Sequence, residues 1–162
     1  MAALELALFL GVASAVMLNG VELARYYYSR MELENAAQMA VQNVFRVCDK
    51  QDELPATLKC SERAGAITSA FQSTTLGAAV TLQAGSPSEA YFCVNSAGTL
   101  TQVATVNETK PANCSSVGNS AGKPSLYFRI SAQYQFVPIF DGITVGSALP
   151  AVIETSTMAR LS

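Results

Sequence analysis

The chain has no histidine and no tryptophan among its 162 residues. Without histidine it lacks both the side chain that most often serves as general base near neutral pH and the commonest metal ligand. A serine or cysteine nucleophile would need a carboxylate or lysine to activate it, and no such spacing is recognisable. Charge is scarce as well: 14% of residues are Asp, Glu, Lys or Arg, the formal net charge is −2, and no run of Lys or Arg occurs. A basic stripe is the electrostatic footprint of nucleic-acid binding, so neither DNA nor RNA is an expected partner. Internal repeats, metal-ligand spacings, phosphate-cradling glycine patterns and C-x-x-C pairs are all missing. These absences together predict a protein that is not an enzyme, carries no cofactor or metal, and works through its surfaces.

The informative residues begin at once. Met1-Ala2-Ala3-Leu4 leads into Glu5, after which no charged residue appears until Glu22. About 20 mostly apolar residues in a helix cross a hydrocarbon core of about 30 Å, so residues 1–21 are expected to form a membrane-spanning half-helix. Glu5 would lie inside that span, where an acid costs roughly 2.5–3.5 kcal/mol on insertion scales and calls for a partner or a task. Small residues recur every fourth position at Ala3, Ala7, Gly11 and Ala15, and so share one helix face that lets a second helix approach closely. Asn19-Gly20 interrupts the apolar run; glycine costs nearly 1 kcal/mol relative to alanine in a helix, which marks this as the weak point of the rod. The segment lacks the basic flank of a secretory signal peptide and leads straight into more helix, so it reads as retained.

From Glu22 to Cys48 the periodicity stays helical. Leu33, Ala36, Ala37, Ala40, Val41, Val44 and Val47 mark an apolar face, with Glu32, Glu34, Gln38, Gln42 and Arg46 elsewhere. Tyr26, Tyr27 and Tyr28 with Arg25 and Arg30 suit a membrane boundary. Residues 49–59, containing Pro55, read as a loop, and a short helix is expected over 62–73 with Ser61 as its N-cap. Strands are expected at 80–83, 91–94 and 99–106, the last two joined by a turn at Asn95-Ser96-Ala97-Gly98. The clearest strand is 126–136, where Leu126, Phe128, Ile130, Ala132, Tyr134 and Phe136 alternate with polar positions. Residues 151–161 supply a last strand, and 107–124 read as an exposed loop. The fold class predicted is α+β: a long N-terminal helix, apolar in its first half and amphipathic in its second, on an antiparallel sheet of four or five strands. Residues 22–162, including the second half of the helix, would form one globular domain. Its acids Glu89, Glu108, Asp141 and Glu154 read as solvated surface.

The four cysteines Cys48, Cys60, Cys93 and Cys114 all follow the apolar span and are even in number. They read as disulfides outside the cytoplasm. Of the three possible connectivities, the pairing of sequence neighbours, Cys48 with Cys60 and Cys93 with Cys114, is preferred.

Glu5 as the fifth residue of an apolar N-terminal helix resembles the mature form of a type IV pilin. The run Val21-Glu22-Leu23-Ala24-Arg25-Tyr26-Tyr27-Tyr28-Ser29-Arg30-Met31-Glu32-Leu33-Glu34-Asn35-Ala36-Ala37 is similar to TadE-like pilins of the tight-adherence (Tad) type. That resemblance covers residues 1–47. It implies cleavage before Met1 by a prepilin peptidase, commonly followed by methylation of the new amine. It also implies residence in the bacterial inner membrane, then assembly by dedicated machinery into an extracellular filament of copies of the same chain. Glu5 would then meet the Met1 amine of a neighbouring subunit, within the packing made by Ala3, Ala7, Gly11 and Ala15. Two other roles fit the same residues: a minor pilin or pseudopilin that primes or caps a filament, and a membrane-anchored extracytoplasmic binding domain.

Overall fold

The apolar span and the amphipathic stretch that follows it are realised as one element. In this computed structural model, which describes residues 2–140, 142 and 144–161, helix α1 spans Ala2–Val47, 46 residues without a break. At 1.5 Å per residue the rod is about 69 Å long. The side chains of residues 2–4 lie outside the described set, so Met1 and the side chain of Ala3, both expected at the assembly surface, do too. Two short helices follow, α2 (Ala56–Lys59) and α3 (Arg63–Gln72). Then come β1 (Val80–Leu82), β2 (Ser88–Val94), β3 (Leu100–Thr105), β4 (Ser125–Gln135) and β5 (Val152–Arg160).

All pairings are antiparallel, and β4 is the hub. Along one edge β4 pairs with β5 from Tyr127↔Arg160 to Gln135↔Val152. Along the other edge its first half pairs with β2 and its second half with β1, while β3 extends the sheet outward from β2. The hub position follows from the strict alternation: Leu126, Phe128, Ile130 and Ala132 are buried and Arg129 between them is exposed. A period of two places one face on the core and leaves the other wet. On the wet face, Ser131 and Ser156 hydroxyls meet across strands β4 and β5 at 3.2 Å.

The core face is covered by α1 and α3 together. Leu33, Ala36, Ala37, Ala40, Val41 and Val44 of α1 pack with Ile67, Ala70 and Phe71 of α3 against Phe128, Ile130, Ala132 and Ile153. Alanines at 36, 37 and 40 keep the helix close to its neighbours. The β2–β3 hairpin turns where the sequence places it. Asn95 Oδ1 accepts the N–H groups of Ala97 and Thr99, both at 2.9 Å, and Gly98 takes the left-handed backbone (φ +81°) that a side chain would resist. Both disulfides are formed, Cys48–Cys60 and Cys93–Cys114, with Cα separations of 5.9 and 5.7 Å. The first closes the end of α1 onto the α2 segment; the second ties the 106–124 loop to β2.

Local expectations change at four places, the first being β2, which begins at Ser88 rather than Tyr91. The segment read as a loop over 49–59 contains a 3-10 turn (Gln51–Glu53) and the one-turn helix α2. Helix α3 starts one residue later than expected, with Glu62 rather than Ser61 at the N-cap position and no side-chain cap. Inside the loop 107–124, Ser115–Val117 forms another 3-10 turn.

Candidate functional site

The first half of α1 projects away from the sheet with its circumference open. Leu8, Phe9, Val12 and Met17 are 65–72% exposed. Over the most apolar 18-residue window, mean hydropathy is 1.8 and 6% of residues are buried. By length and composition this helix can cross a membrane. Ala7, Gly11 and Ala15 share one face as their spacing requires, and all three are exposed. A Cβ added at Gly11 would meet no atom within 4 Å. Glu5 is exposed and forms no ion pair among the described residues. Such an uncovered apolar rod is out of place in water, and its natural surroundings are lipid or other helices.

Where the apolar span ends, two polar side chains of α1 reach across to the β4–β5 connection. At Asn19-Gly20 the helix is continuous. Asn19 Nδ2 donates to its own helix at the Ala15 carbonyl (2.7 Å), while its Oδ1 accepts the Val145 N–H at 2.7 Å. One turn on, Glu22 is fully buried, and its Oε1 accepts the N–H groups of Ile139 (2.6 Å) and Phe140 (3.1 Å). Its second oxygen, Oε2, accepts no hydrogen bond and lies 3.7 Å from Arg25 Nη1. Gly146 packs closely here: an added Cβ would stand 3.0 Å from Pro138 and 3.2 Å from Glu22 Oε2, so a neighbouring side chain would have to give way. The Arg25 guanidinium lies over the Phe136 ring at 5.6 Å, and Tyr26 packs edge-on against the same ring at 5.3 Å. Sequence reasoning used Glu22 to mark the end of the apolar span and within the Tad-like run, and gave its carboxylate no partner. Its one readable signal is an acid that falls in line with the buried positions Ser29, Leu33 and Ala36 of the same helix.

A second carboxylate is also misplaced by sequence reasoning. Glu89, expected on the solvated surface, is buried in β2. It accepts the N–H groups of Ala56 (3.1 Å) and Thr57 (2.8 Å) and the Thr57 hydroxyl (2.8 Å). A distant strand thus supplies the N-terminal acceptor that α2, which has Pro55 at its N-cap position, cannot supply itself. Arg63 donates to the carbonyls of Ala56 and Thr57, completing the clamp. Glu89→Ala should therefore lower the stability of the full chain by about 2–3 kcal/mol, since it strands buried donors. Glu89→Gln, which keeps an acceptor, should lose less; urea denaturation in detergent reads both.

Lys110, Lys123 and Arg160 line a cavity of about 510 Å³ together with Phe92, Asn119 and Tyr127. Phe92 and Tyr127 meet edge to face at 5.4 Å. Among the described residues, no group of three or more His, Cys, Asp or Glu side chains is placed to hold a metal ion.

The chain is thus an α+β head carried on a helix that outruns it by a membrane's thickness. No protein-family model, curated protein or solved structure matches it, so the residues and their geometry carry the functional reading.

Proposed function

We propose that the chain is a structural pilin that polymerises through its N-terminal helix into an extracellular filament of the type IV-like, Tad type. The observation that carries this reading is the uncovered apolar half of α1, with Glu5 as its one charge before Glu22. Before assembly that half sits in the bacterial inner membrane with the disulfide-bonded head outside the cytoplasm. Assembly moves it from lipid into a bundle of the same helices, where Ala3, Ala7, Gly11 and Ala15 let neighbours come close. A prepilin peptidase exposes the Met1 amine, and Glu5 of one subunit pairs with that amine on the next. Burying either charge alone costs about 3–5 kcal/mol, so the pair acts as a register check.

Glu5→Gln should leave the protein folded and membrane-inserted while the filament yield in shear fractions falls at least about tenfold, the equivalent of about 1.4 kcal/mol per subunit. Gly11→Leu should reduce it as well. Wild-type yield in Glu5→Gln would rule out the register role. A minor pilin or pseudopilin would use the same contacts without forming the shaft, and the main component of purified filaments separates the two. The cation-lined cavity at Lys110, Lys123 and Arg160 favours one further reading, a membrane-anchored binding domain. That reading predicts no filament at all.

A further inference from the structure

We infer that the β4–β5 connection is a second membrane contact, with Val137, Ile139 and Val145 resting in the outer interfacial layer of the bilayer that α1 crosses. The inference rests on the membrane stage of the function proposed above. These three aliphatic side chains are 66%, 57% and 46% exposed. Their position along the rod is set by Glu22, which holds Ile139 and Phe140, and by Asn19, which holds Val145. The tip of the connection therefore stands level with residues 19–22 of α1.

That level is where the bilayer should end. From Glu5 to Glu22 the helix climbs about 26 Å at 1.5 Å per residue, close to the roughly 30 Å of a hydrocarbon core. With Glu5 near one boundary, residues 19–22 reach the other. Tyr27 and Tyr28, about half exposed just beyond, are residues suited to the headgroup region. Two features of the connection fit the same layer. The N–H groups of Ile139, Phe140 and Val145 already have acceptors on α1, so lipid would not strand them. In the sequence from 136 to 151, Asp141 is the sole charged residue. Lipid is the favoured occupant because these three exposed side chains stand at the level where the apolar half of α1 ends. Held at two points, helix and tip, the head cannot swing freely about the end of the rod.

The absence of tryptophan makes the test direct, because one introduced tryptophan reports alone. The full chain carrying Ile139→Trp, and separately Val145→Trp, is placed in lipid nanodiscs, with Val12→Trp in the apolar half of α1 as reference. The expected result is blue-shifted emission at 139 and 145, quenched more by lipids brominated near the carbonyl end of the acyl chain than by those brominated near its terminus. The reference at 12 should show the opposite preference. Water-like emission quenched by iodide at 139 and 145, with position 12 in the hydrocarbon, overturns the contact and leaves the membrane-spanning helix standing. Blue-shifted emission untouched by bromine means that protein covers the tip, which overturns lipid as its occupant. Failure of bromine to reach position 12 overturns the membrane reading and this contact with it.

Discussion

Glu22→Ala is expected to destabilise the head by about 2–4 kcal/mol, among the largest effects of any single charged residue in the chain. Two backbone donors, at Ile139 and Phe140, would lose their acceptor in a part-buried setting, and each such loss costs about 1–3 kcal/mol. Arg25 adds little, because its side chain is 39% exposed and can turn into water. Glu22→Gln retains a carbonyl oxygen and should recover a large part of the loss. Chemical denaturation of the full chain in detergent measures both values. Amide exchange gives the local signature: Ile139, Phe140 and Val145 should lose protection first, while the sheet keeps its own. Uniform loss of protection would mean that Glu22 supports the whole core rather than the connection.

Phe128→Ala should cost more, about 3–5 kcal/mol, the usual range for deleting a large buried aromatic side chain. Phe128 is fully buried at the centre of β4, flanked by β2 on one side and β5 on the other, beneath α1. Domains of this size are stable by only about 5–15 kcal/mol, so the variant should sit near the edge of folding at physiological temperature. Ile130→Val, one inward position along, should cost only about 0.5–1.5 kcal/mol. Thermal unfolding followed by near-ultraviolet circular dichroism distinguishes the two. Far-ultraviolet helical signal from the start of α1 should survive in both, because the first hydrogen bond from α1 to the head among the described residues is made at Asn19.

The elements with a strong period were legible in the sequence. Helix α1 declared itself by its apolar face from Leu33 to Val44, and β4 by its alternation from Leu126 onward; the fold class followed from those two. Carboxylates that act over long distances were not legible. Glu22 and Glu89 bind backbone N–H groups 117 and 33 residues away, and backbone donors leave no residue-type signature to match. Only the folded chain brings Ile139 to Glu22. Asn19 was similarly opaque: beside Gly20 it reads as a breaker, yet in the fold its amide bonds both to its own helix and to Val145. In the first half of α1, Glu5, Ala7, Gly11 and Ala15 were placed by spacing alone, and helical geometry needs nothing more to put the three small residues on one side.

The position of β5 in the chain has a bearing on biogenesis. Strand β5 is the last of the five in order, yet it lines the whole free side of β4 and contributes Ile153 to the core beneath α1. A chain emerging from its amino end therefore presents the apolar face of α1 long before the strand that completes its bed arrives. Contacts so remote in sequence form late and slowly. During that interval the exposed stripe from Leu33 to Val44 is a target for chaperones and for aggregation. Head closure is consequently an event that follows the emergence of residue 160, and a shortened chain lacking β5 would carry an unfinished head on α1.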